Sequence, residues 1–459
     1  MEILGNIVQY ILDMGAGVFL PIIMFLLGMV IRMPVRKAIS AALLLGVAFT
    51  GMNIIIGFMT GAISPAASEL VENTGRQLNV IDLGWTPVAA VTWAWPYAFL
   101  LFPIQIVVNI FLLAVGFTKT LNVDMWNVWA KVFCGVLMAT VSGSLVFAFV
   151  VCAVMVVIEL KFADVSQKQI FEITGIPGVS FPHAMALQGV IIAPLNRLLD
   201  FVPGINKVQI DSKVIRERIG IFGENHVLGF ILGLFIGLLA GYDVQSLLIL
   251  AIQASTGLLL FPMVAKLFMQ ALAPISDAAS EFMKKRFPGK EIYIGLDWPF
   301  LAGSPELWVT MILLVPVILG LSLVLPGNST LPFGGILMVC YAPVALYICN
   351  ANVLRMFICG VITMPVYLWV ATYIAPTVTT LARAAGGVDI PADQLVTWNG
   401  VFCPEFFYSF AQLGQVFAGN ASAGVVTLPA FLLLLAWYFK YMWTREKKAT
   451  ARVLGEDAA

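Results

Sequence analysis

Apolar residues in this chain come in long unbroken runs, separated by short polar or proline-bearing stretches. The runs lie near residues 17–31, 40–60, 99–117, 133–160, 227–240, 246–262, 308–325, 356–375 and 424–442. Their lengths approach the roughly 20 residues that carry a helix across a bilayer. The alternation that a membrane barrel requires is missing, so the pattern predicts an all-α polytopic membrane protein. The first run follows Glu2 and Asp13 and is interrupted by Pro21, which argues against a cleaved signal peptide.

The pattern is also written twice. Ala66-Ala67-Ser68-Glu69 returns as Ala278-Ala279-Ser280-Glu281, and each copy leads to a tryptophan turn with a proline further on, Trp85 to Pro103 and Trp298 to Pro316. A second echo pairs Asn127-Val128 and Cys134-Gly135-Val136 with Asn352-Val353 and Cys359-Gly360-Val361. Long-period duplication in an apolar chain points to a transporter of two related halves with its substrate between them.

Charge placement sets the expected topology. Arg32, Arg36 and Lys37, the segment with Lys207, Lys213, Arg216 and Arg218, and the tail with Lys440, Arg445, Lys447, Lys448 and Arg452 are expected to be cytoplasmic, leaving the N-terminus outside. The first Ala-Ala-Ser-Glu copy precedes Glu72, Arg76 and Asp82, whereas the second precedes Lys284, Lys285, Arg286 and Lys290. One motif on opposite faces implies two inverted-topology repeats. The expected division is a first repeat with cytoplasmic linker over 1–215, a second repeat over 220–420, and a terminal helix with basic tail over 421–459. Five crossings per half plus the last helix make about 11 transmembrane helices. Residues 329–349 have no evident counterpart in the first half and are expected to fold back as a re-entrant element, because a further crossing would place the basic tail outside.

Composition narrows the class. With 61% hydrophobic and 11% charged residues and zero net charge, and a mean hydropathy of +0.97, a soluble globule is excluded. Nucleic acid is not an expected partner, whereas membrane lipid is. The six cysteines lack CxxC spacing and read as packing residues, not as disulfides or a zinc site.

Broken helices at membrane depth mark the candidate site, since freed backbone groups there need protein or a water-filled cavity. The breaks are Asp82 to Pro87, Gly295 to Pro299, Phe181-Pro182-His183, Leu331 to Gly335 and Phe402 to Glu405. Asp297, among Tyr293, Leu296, Trp298 and Phe300, reads either as a ligand-hydroxyl acceptor or general base, or as a helix N-cap. His183 reads as a substrate partner suited to proton transfer, or as an interfacial histidine whose polar atoms are satisfied. Glu405 is taken as the second-half counterpart of His183, and Asn127 and Asn352 as either ligand contacts or packing asparagines. Glu224, Asn225 and His226 read first as a helix cap. Asp82 and Trp93 complete the candidate substrate-binding set, Trp93 as one of several tryptophans able to stack on a polyol. No phosphate-binding lysine loop, metal-ligand pair or Ser-His-Asp order is visible, so no cofactor or metal is expected and energy must come from an ion gradient or a phosphorylating partner.

Several segments together resemble the galactitol-type IIC permeases of the bacterial sugar phosphotransferase system. They are Asn122-Val123-Asp124-Met125-Trp126-Asn127-Val128-Trp129, Pro203-Gly204-Ile205-Asn206, the Gly229 to Gly241 run with Tyr242-Asp243-Val244, Ile294-Gly295-Leu296-Asp297, and Val324 to Asn328 with Leu331 to Gly334. The chain is similar, more distantly, to the ascorbate IIC permease. The resemblance implies a homodimeric inner-membrane carrier with a scaffold domain and a mobile core moving in an elevator-like displacement. It implies separate IIA and IIB subunits, with the phosphoryl donor on a IIB cysteine, so that this chain is the permease part of a phosphotransferase complex. It further implies that Asp297 and His183, the two candidate catalytic residues, line the sugar site, and that Phe333, Gly334 and Gly335 form a ligand-facing loop. Trp95-Pro96-Tyr97, Asn225-His226 and Ala351 depart from the galactitol pattern, which leaves another polyol or sugar open. The competing reading is an ion-coupled secondary transporter of a small polar solute.

Overall fold

The computed structural model describes Tyr10 and residues 16–73, 78–93, 95–124, 126–211, 214, 221, 224–286, 291–332, 337–385, 390–420 and 424–454. The first half contains α1 (Ala16–Val30), α2 (Val35–Glu72), β1 (Val80–Asp82), α3 (Trp85–Trp93), α4 (Leu101–Ala114), β2 (Thr120–Asn122), α5 (Trp129–Ser142), α6 (Leu145–Thr174), β3 (Val179–Ser180) and α7 (Gly189–Leu199). The second contains α8 (Asn225–Ala240), α9 (Val244–Arg286), β4 (Tyr293–Gly295), α10 (Pro305–Val324), β5 (Thr330–Leu331), α11 (Ala342–Ile348), α12 (Val353–Ala385), β6 (Leu395–Thr397) and α13 (Pro404–Phe417), and α14 (Gly424–Leu454) closes the chain. Among the described residues, four helices are long and apolar enough to cross a membrane: α6, α10, Val353–Ala384 of α12 and Gly424–Lys447 of α14. Shorter apolar helices, among them α4 and α5, accompany them.

Helices α1, α2, α8 and α9 pack as one group, with the 38-residue α2 lying along the 43-residue α9. Close approach within it depends on small residues: a Cβ on Gly233 would stand 2.6 Å from Ala251 Cα, and one on Gly229 2.6 Å from Ser255 Cα. The duplicated Ala-Ala-Ser-Glu segments fall near the C-terminal ends of α2 and α9 and meet the other half's hairpin. Asn73, just after α2, donates its amide to Ala240 O at the α8–α9 turn, 3.1 Å. Ala278, Glu281 and Phe282 of α9 line a cavity of about 630 Å³ with Val30 to Pro34 at the α1–α2 turn.

Among the described residues, six strands of two or three residues sit inside this helical frame, an addition to the all-α expectation. They are too short for period-two patterning, although Val-Ile-Asp, Thr-Leu-Asn, Tyr-Ile-Gly and Leu-Val-Thr carry the β-branched and aromatic residues that strands favour. They form two parallel sheets, ordered β5-β1-β6 and β2-β4-β3. In each, the first strand of one half lies between the second and third strands of the other. The two halves are thus interlocked by reciprocal strand exchange.

That register corrects two readings of the sequence. Residues 329–349 do have a first-half counterpart: β5, α11 and α12 follow one another as β2, α5 and α6 do. With seven residues, α11 rises only about 10 Å, far short of a bilayer core of about 30 Å. The Asn-Val echo, in contrast, joins unlike places. Asn127 precedes the short helix α5, whereas Asn352 precedes the long helix α12.

Candidate functional site

The sheet β2-β4-β3 ends in three polar side chains, each capping a short 3-10 turn. Asp124 stands two residues after β2, and its Oδ1 accepts from Asn127 N at 3.2 Å at the start of Trp126–Val128. Asp297 stands two residues after β4, and its Oδ1 accepts from Trp298 N at 2.7 Å, capping Trp298–Gly303. His183 stands three residues after β3, and its Nδ1 accepts from Met185 N at 3.1 Å, capping Ala184–Gln188. Parallel strands end together, so their exits gather groups far apart in sequence, as in open α/β sheets that bind ligands at their strand ends. Polar atoms of Asp124, His183 and Asp297 all lie within 4.8 Å of one another.

Buried polar contacts hold these exits. Asn109 donates to Thr120 O at 2.8 Å and accepts from Asn122 N at 2.8 Å. Asp164 accepts from the Thr118 and Thr120 hydroxyls, each at 3.0 Å. Asn122 then accepts from Asp124 N at 2.9 Å and reaches Pro182 O at 3.3 Å, joining the first and third exits. Gly295 provides the space between them, since a Cβ there would lie 2.3 Å from Pro182 Cγ and 3.0 Å from Asn122 Cα.

Asn127 holds the Asp124 carboxylate. Its Nδ2 donates to Asp124 Oδ2 at 2.7 Å, and Asp124 in turn has polar atoms within 4.8 Å of those of Asp297. His183 is 1% exposed, and rings of Phe181 and Phe402 pack against it at 5.5 and 5.1 Å. Since Nδ1 accepts a backbone hydrogen bond, the neutral ring carries its proton on Nε2, which faces Asp297 Oδ1 at 3.5 Å. The three groups have a spacing that could ring a metal ion. A proton on Nε2 favours hydrogen bonding instead, because a metal there would require imidazolate or loss of the Met185 contact.

Beside the site, Lys131 and Glu159 form an ion pair at 2.5 Å, their side chains 2% and 1% exposed. Among the described residues neither Glu159 oxygen has a hydrogen-bond partner, so the contact is an ion pair. Lys131 lies in α5 four residues after Asn127, and Glu159 in α6.

The other candidates fall elsewhere. Asp82 closes the second sheet: its Oδ1 accepts from Gly84 N and Asn399 N, both at 3.0 Å. Trp93 stacks on Phe102 at 5.6 Å, and its buried indole N–H finds no acceptor among the described residues. Asn352 secures the linker by donating to Val208 O at 2.7 Å. Glu224 occupies a cap position without a side-chain cap bond and lies 3.5 Å from His226. Phe333, Gly334 and Gly335 lie outside the described residues. Glu405, in the first turn of α13, has both carboxylate oxygens buried without a hydrogen-bond partner among the described residues. It is not the register counterpart of His183: Val179 and Ser180 pair with Ile294 and Gly295 as Val396 and Thr397 pair with Ile81 and Asp82, which sets His183 against Gly400.

Among known proteins, the family EIIC-GAT, described as "PTS system sugar-specific permease component", matches residues 10–393. The chain belongs to this family of sugar-specific permeases. The PTS system galactitol-specific EIIC component of Escherichia coli K12 is 32% identical over 425 residues, covering 90% of this chain and 94% of that protein. A putative permease IIC component of the same strain is 34% identical over 386 residues, covering 82% and 87%.

In this permease, sequence reasoning missed Asp124 and the Lys131–Glu159 pair as site components. A signal for Asp124 was present. Asn122-Val123-Asp124 repeats the strand end, apolar residue and aspartate of Gly295-Leu296-Asp297, with a tryptophan close behind in both.

Proposed function

We propose that the chain is the membrane-spanning IIC subunit of a sugar phosphotransferase system in the bacterial inner membrane, moving galactitol or a similar polyol as it is phosphorylated by a separate IIB subunit. The observation that carries this reading is the buried convergence of Asp124, His183 and Asp297 at three strand exits in a member of this permease family. Two carboxylates and an Nε2–H offer both acceptors and a donor, the set that neutral hydroxyls require.

In the reaction, the hydroxyl oxygen attacks the phosphorus of the IIB phosphocysteine. An O–P bond forms, the S–P bond breaks, the thiolate leaves, and the hydroxyl proton passes to Asp297 as general base. His183 holds the hydroxyl through Nε2–H, while Phe181 and Phe402 restrict water around the ring. The protein supplies orientation and proton acceptance, and the phosphoryl donor stays on the partner, which a IIA subunit recharges.

Transport is of the elevator type in a homodimer of about 11 crossings, with the N-terminus outside and the basic tail cytoplasmic. The reciprocal strand exchange supports inverted repeats, and the α1, α2, α8 and α9 group supports a scaffold against which the strand-bearing core moves. The competing reading, ion-coupled transport of unmodified solute, draws on Glu405, a buried carboxylate without a hydrogen-bond partner among the described residues.

Asp297→Asn tests the chemical role. The variant is expected to retain polyol binding and to lose phosphorylation-coupled uptake by about 100-fold or more, the contribution typical of a general base. Coupled uptake at the wild-type rate would remove Asp297 from that role.

A further inference from the structure

The turn between α1 and α2 opens into the cavity of about 630 Å³ whose described walls are Val30 to Pro34 and, from α9, Ala278, Glu281 and Phe282. No step of the transport reading uses it. Its lining divides by chemistry, with Val30, Ile31, Met33 and Phe282 apolar and Arg32 a cation. Arg36 and Lys37, in the first turn of α2, are exposed. Three cations therefore stand near a wall that carries one acid, Glu281.

Arg32 is held there against its backbone preference. Its φ is 61°, in the left-handed region where an L side chain crowds the following carbonyl. The turn is a Schellman closure of α1: Met33 N donates to Gly28 O at 2.8 Å, and Arg32 N to Met29 O at 3.1 Å. The left-handed position of that motif is most often glycine. An arginine kept where glycine relieves the strain points to a task for the guanidinium.

The cavity is continuous with an apolar outer face. Leu26, Met29 and Val30 of α1 and Val35 and Ile39 of α2 are exposed, and in a membrane protein such a face lies against acyl chains. Val30 belongs both to that face and to the cavity wall.

We infer that this cavity binds one anionic phospholipid, with the head-group phosphate against Arg32 and an acyl chain along Val30, Met33 and Phe282. A guanidinium donates two parallel hydrogen bonds to phosphate oxygens. Arg36 and Lys37 add the positive field that favours a net anionic head group over a zwitterionic one. The lipid ties the α1–α2 turn to the end of α9 and takes no part in the chemistry at Asp297, so this inference and the transport reading can each fail alone.

Native mass spectrometry of the purified full-length protein with phosphatidylglycerol or phosphatidylcholine tests the site, together with thermal unfolding in lipid-free detergent. The wild type is expected to hold one phosphatidylglycerol about ten-fold more tightly than phosphatidylcholine. Arg32→Gly removes the guanidinium and the strain together. It is expected to bind phosphatidylglycerol about ten-fold more weakly, the effect of losing hydrogen bonds to a charged group, while the lipid-free protein unfolds at the wild-type temperature or above. Ala278→Phe, which fills the cavity from α9, is expected to weaken both lipids. Lys440→Gln, at an exposed lysine of α14, is expected to change neither.

The inference is overturned if Arg32→Gly keeps wild-type affinity for phosphatidylglycerol, if phosphatidylcholine binds equally well, or if Lys440→Gln weakens binding as much as Arg32→Gly. Displacement of the lipid by excess inorganic phosphate overturns it too, since the site would then be one for a soluble anion. A lowered unfolding temperature of lipid-free Arg32→Gly would give Arg32 a role in the fold instead.

Discussion

Single residues at this site are held by backbone geometry as much as by side-chain contacts. Asp297 is a cap, one of the two readings open in the sequence, and capping Trp298 also aims its carboxylate toward His183. Helix breaks drew attention to Asp297 and His183 in the sequence, and the repeated Asn-Val pair to Asn127. Asp124 escaped because no helix break marked it. Gly295 carries the strictest local demand, with no room for a methyl group between Pro182 and Asn122. Gly295→Ala is expected to cost about 1–3 kcal/mol through overpacking and to displace the β3 exit, weakening polyol binding at least several-fold. Gly320→Ala is the control, since a Cβ there meets nothing within 4 Å. Thermal unfolding together with ligand binding reads both variants, and equal behaviour of the two would contradict this account of the strand exits.

At the scale of elements, the long helices were visible as apolar runs, whereas the parts that build the site were not. Strands of two or three residues carry no periodicity, and the seven-residue α11 is hidden inside a longer apolar stretch. The correspondence between halves was half legible. The Ala-Ala-Ser-Glu copies do sit at like ends of α2 and α9, but the Asn-Val copies precede unlike helices, and Glu405 is displaced from the register of His183. Short identities arise by chance in a low-complexity apolar chain, and strand pairing is the stricter alignment. The α5–α6 hairpin also contains the buried Lys131–Glu159 pair. Lys131→Met leaves Glu159 charged and uncompensated, an expected loss of about 3–5 kcal/mol, and adding Glu159→Leu is expected to recover most of it. Thermal unfolding of the purified variants checks this, and a single variant as stable as the double would contradict it.

At the scale of the whole molecule, each half completes the other's sheet, so neither half has a finished site alone. The site takes Asp124 and His183 from the first half and Asp297 from the second. Charge asymmetry is the argument the sequence offers for inversion, while the strand exchange that interlocks the halves involves contacts over hundreds of residues that no local pattern records. The central claim is that this site hands its substrate to a phosphorylating partner. Vesicles reconstituted with the permease and loaded with polyol outside give the most direct measurement. With phosphorylated IIB inside, the polyol is expected to appear within the vesicles as its phosphate ester, and without it no uptake against a gradient is expected. Accumulation of unmodified polyol driven by a proton or sodium gradient would contradict the account.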